Sequence, residues 1–185
     1  GRLMQMQPVG AMLAVTLSHK DIAPFLRSGL SVAVVNTPSR CVVSGPVKSI
    51  QALEERLLKE PGDTKKKVCC TRLRTSHAFH SEMMEPAVAP FTECVRKACP
   101  ASPAIPFVSN VTGTWITDDQ AKDPAYWAAH LRHAVRFSQG VETLFHEPDR
   151  ILLEVGPGNT LGAFVRQHVK PDRRPLILTS IGQPG

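Results

Sequence analysis

Two histidines, His77 and His80, stand three residues apart in the stretch "RTSHAFHSEMM" spanning 74–84. Imidazole is the side chain whose ordinary pKa lies closest to neutrality, so these residues could move protons or bind a metal. With Cys69 and Cys70 they supply the right ligand types for zinc. Adjacent cysteines on a strand point to opposite faces, however, and the spacing fits no tetrahedral pattern, so no metal site is expected. His80 falls between the end of a strand and the start of a helix, which suits a general base. That role needs a hydroxyl or thiol within hydrogen-bond reach and a second acceptor to hold the other ring nitrogen. Two partly exposed loop histidines would fit the same residues, and on the residues alone both readings stay open.

Other candidate motifs carry less. The "EVGPGN" turn at 154–159 lacks both the Walker pattern and G-x-G-x-x-G, and reads as a tight strand-to-helix turn. The "NVT" triplet at Asn110 matches a glycosylation sequon, but no secretion signal accompanies it. The five cysteines are odd in number and show no C-x-x-C spacing, which argues against a disulfide framework or zinc finger. Reduced thiols are expected, several of them in the core.

These side chains must be positioned by a fold, and 185 residues with 42% hydrophobic content can bury a real core. No apolar run approaches the roughly 18 residues that cross a bilayer, and "GRLMQMQPVG" lacks a signal-peptide core, so a cytoplasmic location without membrane contact is expected. The net charge of +6 favours an acidic partner. It is spread along the chain apart from Lys65–Lys67, and aromatic content is only 5%, so nucleic-acid binding is not expected.

The first part alternates strand and helix signals. "AMLAVTL" (11–17) reads as a strand, and Ser18 caps a short helix limited by Pro24 and stopped at Gly29. Residues 31–36 and 40–45 form two β-branched runs joined by "TPS", a hairpin. "GPVKSIQALEERLLKE" places Val47, Ile50, Leu53 and Leu57 on one helix face, "PGD" breaks it, and "KKVCCTRL" returns as a strand. The order is βαββαβ, the ferredoxin-like unit. Beyond residue 75 come a helix with Met84, Val88, Phe91 and Val95 in register, a short buried strand "IPFVSN", and a helix opening at "DPAYWAAHL". A buried strand "RILLEV" then leads through Gly-Pro-Gly to a helix capped by Asn159 or Thr160, and "PLILTSI" could form a last strand. Strands entering helices through glycine turns indicate an α/β layer.

"GRLMQ…GAMLAV", "VAVVNTPSRCVVSGP", "HAFHSEMMEP", "SNVTG", "DPAYWAAHLRHAVRF" and "LEVGPGNTLGAFVRQ" follow one another in an order and spacing that resembles the acyltransferase domains of modular type I polyketide synthases. Those domains are similar to the malonyl-CoA:acyl carrier protein transacylase of fatty acid synthesis. The resemblance implies an α/β fold in which an α/β-hydrolase-like lobe, here 1–7 and 76–185 and only partly present, carries an inserted ferredoxin-like lobe, here 8–75. It implies a two-step transfer in which a serine takes an acyl group from a CoA thioester and passes it to the phosphopantetheine thiol of a carrier protein. No tightly bound cofactor and no metal are implied. The partners are malonyl-CoA, an acyl carrier protein and a neighbouring ketosynthase domain.

By the same resemblance His80 is the general base, and the backbone carbonyl of His130 holds its ring. Asn36 matches an asparagine near the cleft, and His77 and Phe79 form pocket wall. "HAFH" is similar to the malonyl-type motif, where Y-A-S-H goes with methylmalonyl. Phe79 would fill the space an α-methyl needs, and a pocket methyl discriminates by about 1–3 kcal/mol.

The chain also departs from the family pattern. The nucleophile's G-H-S-x-G elbow belongs upstream of "GRLMQ", and Ser44, Ser76 and Ser81 do not stand in that context. The arginine that would clamp the malonyl carboxylate is expected immediately before Gly1, with Arg2 its neighbour. The expectation is therefore the C-terminal part of an acyltransferase domain, inactive alone, with exposed sheet edges. A fatty acid synthase transacylase, or a non-catalytic module docking an acidic carrier protein, are the alternatives.

Overall fold

The computed structural model describes residues 1–59, 68–147, 149–171 and 175–182. The Lys65–Lys67 run, the "PGD" break and the first residues of the "KKVCCTRL" strand lie outside them.

After a single turn of helix, α1 (Arg2–Gln5), the chain builds a four-stranded antiparallel sheet from β1 (Ala11–Val15), β2 (Ser31–Thr37), β3 (Arg40–Gly45) and β4 (Cys70–Arg72). Two helices interrupt it: α2 (His19–Ile22), continued as a 3-10 turn over Ala23–Phe25, and α3 (Val47–Lys59). The elements follow the order βαββαβ, and the strands lie side by side as β2-β3-β1-β4. Local chemistry explains the boundaries. Ser18 Oγ accepts from the Asp21 amide at 3.1 Å and so caps α2. Pro24 sits in the 3-10 turn, where its missing N–H is not needed. Gly29, at φ +82°, reverses the chain in a conformation that costs glycine little.

The two sheet faces have different partners, as the period-2 alternation of strands requires. One face, with Leu13, Val15, Cys41 and Val43, packs on Ile22, Ile50, Leu53 and Leu57 of the two helices. The other, with Met12, Ala33 and Val42, packs on Phe79. The remaining hydrogen-bonding edge of β2 is also covered: Val35 N donates to Val135 O at 2.9 Å, and Val135 N donates to Ala33 O at 2.8 Å.

The chain enters and leaves this sheet through one doorway. Val9 bridges His77, Gly10 N donates to Ser76 O at 3.1 Å, and a Cβ on Gly10 would lie 2.6 Å from that of Ala78. Only glycine permits the two crossings to approach so closely.

Beyond the doorway, a 3-10 turn (Glu82–Met84) leads into α4 (Glu85–Ala98). α5 (Asp118–Lys122), α6 (Pro124–Arg132) and α7 (Phe137–Leu144) follow. α6 starts where expected, with Asp123 Oδ1 accepting from the Ala125 amide at 2.8 Å and Pro124 at the first helical position. β5 (Leu152–Pro157), α8 (Thr160–Arg166) and β6 (Ile177–Ile181) complete the described chain, β5 and β6 pairing in parallel.

Three expectations need correction. "IPFVSN" is not a buried strand: it makes one isolated bridge, Val108 to Trp115, and Ile105 is 79% exposed. Pro103 and Pro106 remove donors that a ladder would need, while buried Ser109 caps the following turn and accepts from Tyr126 Oη at 2.7 Å. β5 is not buried either, with Val155 82% exposed, because its two-stranded sheet has no layer over that face among the described residues. Of the cysteines only Cys41 is in the core, where burial pushes its thiol up to about 12.

No helix among the described residues is long and apolar enough to cross a membrane, and no group of three or more His, Cys, Asp or Glu residues there is placed to hold a metal ion.

Candidate active site

The turn from Ser76 to Ser81 is pinned at both ends. Its start is held by the Gly10 amide, and its end by Ser81, fully buried, whose Oγ donates to Ala78 O at 2.6 Å and accepts from Met83 N at 3.2 Å. Between them His80 adopts φ +57°, the left-handed region that costs a non-glycine residue about 1 kcal/mol or more and recurs at functional sites.

That backbone turns the imidazole toward the C-terminus of α6. His133, the residue ending α6, is extended at φ −90°, ψ 162°, which swings its carbonyl out of the helical direction. His80 Nδ1 lies 3.0 Å from this oxygen. A carbonyl only accepts, so Nδ1 carries the proton and Nε2 presents a lone pair. Burial pushes the His80 pKa below its ordinary 6.5, opposed by the His133 hydrogen bond and lowered further by nearby His130. The ring is thus kept neutral and in one tautomer.

The orienting carbonyl is therefore displaced from the expected position. His130 lies in the last turn of α6, and its carbonyl contributes only a smaller favourable effect on His80. Its ring stands edge-on to His80, centroids 6.1 Å apart, and burial lowers its own pKa.

His80 opens onto a cleft of about 610 Å³, shared with Phe79, Phe91, Trp127, His130 and Arg2. Phe79 sits with one side in this cleft and the other on the Met12, Ala33 and Val42 cluster, so the sheet fixes its position. His77 does not line it. That ring is buried, with Nδ1 against Ser76 Oγ at 2.8 Å and Nε2 against Gln7 O at 3.1 Å, and it fastens the doorway instead. Asn36 falls in the bulge of β2 between Val35 and Thr37, one residue beyond the strand's last bond to Val135.

Among the described residues no hydroxyl is hydrogen-bonded to His80 Nε2. Ser81 is committed to its cap, Ser76 to His77, and Ser44 is fully buried. The "EVGPGN" turn offers no anion cradle, since the Glu154 carboxylate already accepts from Leu161 N at 3.1 Å and Gly162 N at 2.8 Å. The sequence alone shows neither this cap nor the His133 contact, although an acidic residue just before a glycine turn and the helix-ending position before "AVRF" are the signals that could have found them.

A neutral, half-buried imidazole, oriented by a carbonyl and opening onto a largely apolar cleft, can accept a proton from a hydroxyl or thiol brought to Nε2. A family model described as "Acyl transferase domain" matches residues 1–182, and the chain belongs to that family. It is 37% identical over 169 residues to a component of the phenolphthiocerol/phthiocerol polyketide synthase of Mycobacterium tuberculosis, covering 91% of this chain and 11% of the relative. It is 40% identical over 171 residues to the spectinabilin polyketide synthase system protein NorB of Streptomyces orinoci, covering 90% and 8%. The chain thus spans about a tenth of the length of these relatives. Among solved structures, the acyl transferase domain of SpnD, in complex with 2-(pent-4-yn-1-yl)malonyl, superposes with a TM-score of 0.90 at 34% identity, covering 98% of this chain and 43% of that one. Malonyl CoA-acyl carrier protein transacylase from Burkholderia pseudomallei gives 0.78 at 29% identity, covering 90% and 58%.

Proposed function

We propose that this chain forms the base-bearing part of a polyketide synthase acyltransferase that selects malonyl-CoA and hands the malonyl group to the phosphopantetheine thiol of an acyl carrier protein. The observation that carries the reading is the His80–His133 hydrogen bond. With Nδ1–H engaged, Nε2 takes the proton of a serine as its oxygen attacks the thioester carbonyl, and CoA leaves as the thiol. In the second half, Nε2 takes the proton of the phosphopantetheine thiol, whose sulfur attacks the ester, and the serine oxygen recovers a proton. No step needs a metal or a bound cofactor.

The nucleophile comes from outside these 185 residues. The serines weighed in the sequence are buried or committed, and the chain covers 43% of the matched SpnD domain. The arginine clamp for the malonyl carboxylate belongs with it, beside Arg2 in the cleft. Phe79 supports malonyl over methylmalonyl because it narrows the cleft next to the base. Residues 8–75 form an inserted ferredoxin-like lobe and residues 1–7 with 76–185 belong to an α/β-hydrolase-like core, a division supported by the single doorway at Val9–Gly10 and Ser76–His77. The basic balance of +6 suits an acidic carrier protein, and a neighbouring ketosynthase fits the multidomain relatives.

Incubation with malonyl-CoA followed by intact-mass measurement tests the reading. The chain alone stays unmodified, while the chain joined to an upstream elbow segment gains one malonyl group. A stable serine ester on the chain alone would place the nucleophile here and overturn the division of labour.

A further inference from the structure

The hydrogen bond that defines the base joins two segments ending within a few residues of one another. Glu82 and Glu85 lie two and five residues after His80, and Arg132 immediately precedes His133. The Arg132 guanidinium reaches back across this junction. Its Nε donates to Glu85 Oε2 at 2.8 Å, and Nη2 lies 4.0 Å from Glu82 Oε1. The arginine is 22% exposed, and the two carboxylates are 65% and 67% exposed.

We propose that Arg132 is a positioning residue for the base: its pairing with Glu82 and Glu85 holds the end of α6 against the turn after His80, keeping the His133 carbonyl on Nδ1. Neither side of the His80–His133 bond is locked by regular secondary structure. His80 sits in a left-handed turn, and His133 is the extended residue just past a helix. On its far side the His133 segment is anchored to β2 through Val135. On the near side, Arg132 lies one residue from His133 and its partners Glu82 and Glu85 two and five residues from His80, and a planar guanidinium can meet two carboxylates at once. Exposed ion pairs contribute little to overall stability, so the effect falls on the geometry of the base and not on whether the protein folds.

The proposal rests on His80 as the base, but its test does not use turnover. Long-range proton–nitrogen NMR of the histidine rings in this chain reports which nitrogen of His80 is protonated. The wild type shows the Nδ1–H form. The double substitution Glu82→Gln with Glu85→Gln, on an exposed surface, leaves the melting temperature nearly unchanged and converts His80 to a mixture in which Nε2–H predominates. Arg132→Gln does the same. Pairing Arg132→Glu with Glu85→Arg moves the ring back toward Nδ1–H relative to either reversal alone. A wild-type tautomer in the folded double glutamine variant, or a charge swap no better than its single reversals, would overturn the proposal. Should Arg132→Gln not fold, the glutamine pair decides. Full transfer activity in His80→Ala of the chain joined to an upstream elbow segment would instead strike at the base reading and leave this result standing.

Discussion

The Nδ1 of His80 lies 3.0 Å from the carbonyl oxygen of His133. A carboxylate in that place would also orient the ring, but it would add a negative charge and raise the imidazole pKa. A carbonyl fixes the tautomer with much less electrostatic pull, so burial dominates and the ring stays neutral.

The pH dependence follows from that balance. Burial holds both His80 and His130 below the ordinary 6.5. For a base that acts when neutral, kcat/KM in a completed domain should fall on the acid side with a midpoint below 6.5. For stability the sign is the same. Well above 6.5 both rings are neutral whether folded or unfolded, so they contribute no pH dependence there. As pH falls below that value the unfolded chain binds protons that the folded one resists, and the fold loses stability. Replacing both residues with Asn should flatten this loss in pH-dependent melting. An acid limb centred at or above 6.5 would contradict the burial argument.

Phe79 is held by the sheet on one side and faces the cleft on the other. Phe79→Ser should therefore open space without moving the base, and relax malonyl over methylmalonyl preference by about 10- to 200-fold. Competition between the two CoA thioesters in a completed domain measures it, and an unchanged ratio would remove Phe79 from the selectivity account.

Gly10 leaves no room for a methyl group, because a Cβ there would lie 2.6 Å from Ala78 Cβ and 2.8 Å from its backbone nitrogen. Gly10→Ala should cost about 1–3 kcal/mol through overpacking at the doorway, read as a lower thermal midpoint. Because Ala78 lies two residues before His80, the variant should also disturb the His80 ring resonances.

What could be read in advance follows the range of each interaction. The βαββαβ order was legible because period-2 runs, Ser18, Pro24, Gly29 and the Pro38-Ser39 turn are local signals. His80 was legible as a candidate, since its place between strand and helix is also local. Its carbonyl partner was not: the choice between His130 and His133 depends on where α6 unwinds and how the Val135 segment pairs with β2. The fate of His77 depended on Gln7, 70 residues away. Exposure of β5 depends on what packs over it, which the apolar pattern of "ILLEV" does not encode.

The most direct measurement of the central claim is the single-turnover rate of malonyl transfer from malonyl-CoA in a domain completed with its upstream segment, compared between wild type and His80→Gln. Loss of the general base should slow acylation by about 10²- to 10⁴-fold while the melting temperature stays close to wild type. Acylation by the folded variant at the wild-type rate would show that His80 is not the base.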